Sequence, residues 1–174
     1  AIIGGNTWIV RSVPPGKGTK PHCDIVFMGR GTSDLYTAWI PYGSVDFEIG
    51  GLMILEDSHK KGEKIKTYLE HDVDTYCENT KEDKRPWKSG ELSDDPRILR
   101  EKLGGRWLTT EFQPGDLVTF GMGTVHASLD NRSENRLRLS TDTRYQIASE
   151  PVDERWVGEN PKGHGKASAK GMIC

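Results

Sequence analysis

His22 and Asp24 stand one residue apart in K-P-H-C-D-I-V-F-M-G, residues 20–29, just before a short apolar run. On extended backbone, residues i and i+2 leave the same face, so an imidazole and a carboxylate at this spacing reach one ion together while Cys23 between them turns away. A divalent metal accepts both donors, and two histidines plus one carboxylate on one octahedral face leave three positions open for other ligands. By itself an H-x-D pair is more often a surface pair or a capped turn, so the metal reading needs a second histidine.

Residues 115–145, G-D-L-V-T-F-G-M-G-T-V-H-A-S-L-D-N-R-S-E-N-R-L-R-L-S-T-D-T-R-Y, offer one. His126 ends an apolar strand. Arg136, Arg138 and Ser140 then follow a period of two, which puts them on one face of the next strand with Leu137 and Leu139 on the other. A guanidinium beside a hydroxyl suits capture of a carboxylate. Arginines on the surface of an edge strand are the plainer alternative.

Short β-rich runs between glycine, proline and polar turn signals must position these groups, which suggests an all-β sandwich or barrel. Strands are expected at about residues 7–13, 24–28, 35–41 and 51–55, and again at about 107–112, 116–120, 124–128 and 136–145, making two groups of four. Between the groups, residues 60–105 are densely charged without a period-2 pattern and read as a surface excursion, either a decorated loop or a lid. Within it, S-D-D-P-R-I-L-R-E-K-L-G-G carries an aspartate N-cap, a proline at the first helical position and a closing glycine. Ile98, Leu99 and Leu103 are expected to pack this helix on the body. The polar, glycine-rich tail, residues 150–174, is expected to wrap the outside or lie loose.

At 174 residues the chain fits one domain. Its net charge of -2 gives no reason to expect nucleic acid or a membrane surface as partner, which leaves a small molecule. Cys23, Cys77 and Cys174 are odd in number and widely spaced, as expected in a reducing, cytoplasmic compartment. No apolar run approaches the ~20 residues of a membrane span. The chain starts without methionine and enters a strand-like run at once, as expected of a fragment. Oligomeric state has no signal in the sequence.

The ordered set H-C-D, then W-I-P-Y-G-S-V-D-F-E-I-G-G-L-M-I-L-E-D-S-H-K, then H-A-S-L-D-N-R-S-E-N-R-L-R-L-S-T-D-T-R-Y resembles the phytanoyl-CoA dioxygenase family of iron(II)- and 2-oxoglutarate-dependent oxygenases, over about residues 10–145. The resemblance implies an all-β double-stranded β-helix (jelly roll, cupin-like) over residues 1–149, with the charged, partly helical excursion as a lid-like insertion between the two four-strand groups. It implies that His22, Asp24 and His126 form the iron-binding catalytic centre. Arg138 would meet the far carboxylate of 2-oxoglutarate, since it lies seven residues before Tyr145 as in the family's R-r-a-l-s-v-r-Y pattern. Arg136 is its rival, because the family places that arginine eleven residues after the distal histidine and the offsets here are ten and twelve. Ser140 completes an Arg-x-Ser arrangement seen in related oxygenases, and Ser128 and Trp39 match family positions that contact the cosubstrate.

The implied activity is hydroxylation of a C–H bond of a small molecule, with O2 consumed, succinate and CO2 released, and ascorbate as an accessory reductant. Halogenases of this chemistry give up the carboxylate ligand, and Asp24 is present; desaturation, ring formation and epimerisation would use the same ligands. A cupin-like metal or ligand-binding protein is the alternative from another class, although its H-x-H pair is missing. Two departures stand out. The family's helical N-terminal region is absent, and Glu56-Asp57-Ser58-His59 replaces P-G-S-H at a tight turn. His59, His71 and His164 read as loop or structural histidines. Lys60, Lys61, Lys64 and Arg85 are charges that could greet an acidic substrate, with a solvated face as the plainer reading.

Overall fold

The computed structural model describes residues 2–4, 9–77 and 90–172. Among them the first strands are β1 (Ile2–Gly4), β2 (Ile9–Val13), β3 (Tyr36–Pro41), β4 (Leu52–Leu55) and β5 (Thr75–Cys77). The later ones are β6 (Trp107–Leu108), β7 (Val118–Gly121), β8 (His126–Ser128), β9 (Arg138–Ile147) and β10 (Lys170–Met172), and the α-helical segments are α1 (Ile25–Met28), α2 (Lys66–Leu69) and α3 (Pro96–Leu103).

β9 organises the larger sheet. Its threonines and alternating side chains suit a strand paired on both edges. One edge carries β3, which in turn carries β7; the other carries β2 and then β1, all antiparallel. A second antiparallel sheet runs β6-β4-β8. Trp39 and Phe120 from the first sheet meet Leu52 from the second, with Val45, Ile49 and Phe112 filling the space between them. Two facing antiparallel sheets around such a core make a jelly roll, the expected architecture.

A second apolar cluster closes one end of the molecule. Cys23, Val26, Leu55, Ile65, Tyr68, Leu99, Leu103 and Val125 pack there, so α1 and the insertion's helices share a core with β4. The helix expected from S-D-D-P forms as α3. Asp95 accepts a hydrogen bond from the Arg97 amide at 2.8 Å, and Gly104 leaves the helix with φ +72°. Ile98, however, is exposed; only Leu99 and Leu103 turn inward.

Other expectations are corrected. Residues 24–28 are not a strand but the turn α1, in which the Asp24 carbonyl accepts from the amides of Phe27 and Met28 at 3.0 and 3.1 Å. A short apolar run does not reveal its period, and here Val26 and Met28 are buried and alternate with half-buried Ile25 and Phe27, imitating a strand. Gly29 ends the turn because a Cβ there would lie 2.5 Å from the Ile25 carbonyl oxygen. The expected strand 107–112 is paired as a strand only over Trp107–Leu108, while Phe112 makes an isolated bridge to Val45. Thr7, Trp8 and Arg85 lie outside the described residues. The excursion does contain sheet: β5 pairs in parallel with β10 of the tail. The tail wraps the body, and Arg155, 5% exposed, is bonded to Asp153, Asp74 and Asp72.

Candidate active site

His22 reaches its place through an antiparallel bridge to His126, each amide donating to the other's carbonyl at 3.0 Å. Their rings lie 4.2 Å apart between centroids. The His22 Nδ1 meets the Lys20 carbonyl at 2.8 Å and the His126 Nδ1 meets the Thr124 carbonyl at 3.0 Å. A carbonyl only accepts, so each Nδ1 carries the proton and each Nε2 lone pair faces inward.

The inward target is Asp24. Its Oδ1 lies 3.8 Å from the His22 Nε2 and 3.5 Å from the His126 Nε2. Its Oδ2 accepts from the Thr37 hydroxyl at 2.5 Å and from Arg144 Nη2 at 2.9 Å, so one carboxylate oxygen is tied back and the other is left for the cluster. Among the described residues, His22, Asp24 and His126 form the group whose ligand atoms all fall within 4.8 Å of one another, and all three are buried. Asp24 itself starts α1 in helical conformation, so the pair meets by a turn in the chain and not by the extended alternation expected.

Burial pushes the His22 imidazole down to about 3, with His126 adding to the shift and Asp24 opposing it. Burial alone would raise the Asp24 carboxyl, but Arg144, His126, His22 and the Thr37 bond together hold it below the usual carboxylate range. Cys23 is 0% exposed, packs in the apolar cluster, and burial pushes its thiol up, which makes it a packing residue and no thiolate ligand.

Arg138 is 3% exposed and borders a narrow pocket together with Trp39, Thr37, Ser128 and His126. Its Nη1 donates to the Gly50 carbonyl at 2.6 Å, and its Nε has no partner among the described residues. Burial and nearby Arg11 lower its pKa to about 10, opposed by Asp142, so it is charged at neutral pH. Ser128 Oγ accepts from the Thr19 amide at 2.8 Å, and the Trp39 ring packs edge-on to Phe112. Ser140 is fully buried with its hydroxyl unpartnered among the described residues, but it does not border that pocket. Arg136 points elsewhere and pairs at the surface with Asp46 and Glu48.

Three site residues escaped the sequence reading. Arg144 continues the period of two through Arg138, Ser140 and Asp142, so extending that face by four residues would have found it. Thr37 gave no signal beyond being a threonine in a strand. Tyr68 lies in the charged excursion, yet its hydroxyl accepts from the Cys23 amide at 3.0 Å and donates to the Gly90 carbonyl at 2.7 Å, pinning the turn between the two ligands. Lys61 is structural, its Nζ donating to the Gly104 and Glu56 carbonyls, and Lys60 pairs with Asp57.

Comparison with known proteins places the chain in a family. The chain is 31% identical over 140 residues to 1-deoxypentalenic acid 11-beta-hydroxylase of Streptomyces exfoliatus, an alignment covering 79% of the chain and 44% of the hydroxylase. The chain thus spans less than half the length of the curated relatives it matches. Among solved structures it resembles the non-heme alpha ketoglutarate dependent carbocyclase SnoK from nogalamycin biosynthesis, with TM-score 0.61, 18% identity, and coverage of 87% of this chain and 54% of that one. It also resembles EctD from S. alaskensis with 2-oxoglutarate and 5-hydroxyectoine, with TM-score 0.61, 15% identity, and coverage of 99% and 56%. No described helix is long and apolar enough to cross a membrane. The family model for phytanoyl-CoA dioxygenase (PhyH) matches residues 5–139, the span that holds His22, Asp24, His126 and Arg138, and the chain belongs to that family.

Proposed function

We propose that this chain carries the iron(II)- and 2-oxoglutarate-binding core of a dioxygenase that oxidises a C–H bond of a small molecule, most simply by hydroxylation. The observation that carries the reading is the pre-set donor geometry: two imidazole Nε2 atoms and one carboxylate oxygen converge, and the opposite atom of each ligand is committed to a backbone or side-chain partner. That outer shell fixes ring orientation and ligand basicity, as in known metal sites. The donor set suits iron(II) with three remaining positions.

Residue roles follow. His22, Asp24 and His126 hold the metal. Arg138 receives the far carboxylate of 2-oxoglutarate, supported by its burial, its unpartnered Nε and its place beside His126. Arg136, already paired with two carboxylates at the surface, is the weaker candidate. The free volume beside Arg138 is about 20 Å³, enough for about one water. Entry of the dicarboxylate therefore requires the side chains lining this pocket to move apart. Trp39 and Ser128 wall the pocket, and Ser140 follows Arg138 two residues along β9 without bordering that pocket. Arg144 and Thr37 hold Asp24. When bound, the metal and cosubstrate supply oxidation by O2 with release of succinate and CO2. Retention of Asp24 disfavours halogenation. The hydroxylation of a small organic acid by the Streptomyces relative is in keeping with this reading.

Purified protein given iron(II), ascorbate and 2-oxoglutarate is expected to form succinate even without substrate, and Asp24→Ala to abolish it with circular dichroism unchanged. Unaltered iron affinity in Asp24→Ala would remove the ligand assignment.

A further inference from the structure

A cleft of about 360 Å³ opens on the outer side of the Asp24 carboxylate, a size suited to a small molecule. His22, Asp24 and Arg144 form its floor, and Phe27, Trp156 and His164 stand along its wall. Trp156 and His164 belong to residues 150–172, beyond the family-matched span that ends at residue 139. His22, Asp24 and Phe27 thus come from the matched span, while Trp156 and His164 complete the wall from outside it.

The wall is held in place by specific bonds. Arg155, next to Trp156, is buried among Asp72, Asp74 and Asp153, an arrangement that is strongly destabilising to break. The Gly163 amide donates to the Arg155 carbonyl at 2.7 Å, and the Gly165 amide donates to Asp74 Oδ1 at 2.7 Å. These bracket His164. Trp156 Nε1 donates to the Phe27 carbonyl at 3.2 Å.

The result is a continuous run of rings leading out from the metal cluster. His22 and Phe27 lie 5.7 Å apart between centroids at 87°, Phe27 and His164 5.5 Å at 59°, and His164 and Trp156 6.0 Å at 42°. Lys20 and Glu91 also face the cleft but pair with each other at 2.9 Å, and Arg11 pairs with Asp142. With those charges mutually satisfied, the rings are the surface left for recognition along the wall. Aromatic faces in a partly enclosed site favour apolar and ring-bearing ligands.

We propose that residues 150–172 form the selective wall of the substrate cleft, and that Phe27, His164 and Trp156 hold the apolar or ring body of the substrate beside the metal cluster. This rests on the oxygenase reading above. Trp156 and His164 are specificity-determining residues under it, acting on substrate and not on metal or cosubstrate.

The test uses the protein loaded with iron(II) and 2-oxoglutarate under nitrogen, with adamantan-1-ol as a neutral, compact ring probe and choline as a cationic one, titrated by calorimetry. Adamantan-1-ol is expected to bind more tightly than choline. Its Kd should weaken about tenfold or more in Trp156→Ala and recover in large part in Trp156→Phe. Affinity for 2-oxoglutarate and substrate-free succinate formation should stay within about twofold in both variants, since neither touches the pocket at Arg138. Equal probe affinity in wild type and Trp156→Ala, failure of the probe to bind wild type, or preference for choline would each overturn the proposal. Loss of succinate formation and of 2-oxoglutarate binding already in the wild type would instead overturn the oxygenase reading.

Discussion

His22 and His126 lie directly opposite each other across an antiparallel bridge whose two backbone hydrogen bonds are both 3.0 Å. Their positions differ by 126 − 22 = 104 residues, so the ligand spacing is set by sheet register and not by local sequence. A slip of one residue in that register would carry one imidazole to the opposite face. The metal cluster is in this sense a reporter of correct strand pairing.

Tyr68 tests how the insertion supports the ligands. Tyr68→Phe removes the acceptor of the buried Cys23 amide and the donor to the Gly90 carbonyl. Leaving a buried donor unpaired costs about 1–3 kcal/mol. Urea unfolding should show that loss, and iron affinity should fall as the turn between His22 and Asp24 loosens. A variant as stable as wild type and with full iron affinity would mean that the insertion does not brace the site.

The two candidate arginines should separate cleanly. Arg138→Ala is expected to raise the KM for 2-oxoglutarate on the order of 10- to 100-fold, the value of one or two charge-assisted hydrogen bonds. Arg136→Ala removes exposed pairs that contribute little and should leave that KM within about twofold. The reverse pattern would exchange their roles.

Acid should destabilise the metal-free protein through His22. Its pKa lies near 3 in the fold, against 6.5 for the free side chain. Between those values the unfolded chain binds a proton that the folded chain does not, so stability is full above about pH 6.5 and declines as pH falls toward 3. Asp24, also held low, adds a decline only below the ordinary carboxylate range. Thermal melts from pH 7.5 to 4.5 should fall in wild type and fall less steeply in His22→Gln; parallel curves would reject the assignment.

Asp57 occupies a left-handed conformation, φ +55°, at the turn that enters Ser58–Lys60. Asp57→Gly removes that backbone cost at the expense of one exposed pair with Lys60. Melting temperature should rise by about 2–4 °C. A fall would show that the pair or the chain entropy matters more than the strain.

The His22–Asp24–His126 cluster and the pocket arginine were legible from residue type and spacing. Alternate strand positions revealed the arginine, whereas H-x-D was picked out by its nearness in the chain and is brought together by a turn, not by strand alternation. α1 was misread because four apolar residues with alternating burial look the same in either period. Tyr68 and the wall residues Trp156 and His164 left no trace in the sequence, since each acts through a contact more than forty residues away, set by the packing of the insertion and the tail. The β5–β10 pairing was hidden for the same reason.

β9 takes its partners from strands that all precede it in the chain: β1, β2 and β3 each wait for it. During synthesis nothing can complete the larger sheet until residue 147 has left the ribosome, and the long loops closed at that moment favour slow folding. Until then β2 and β3 each present an open edge, the kind of surface through which nascent chains stick to one another.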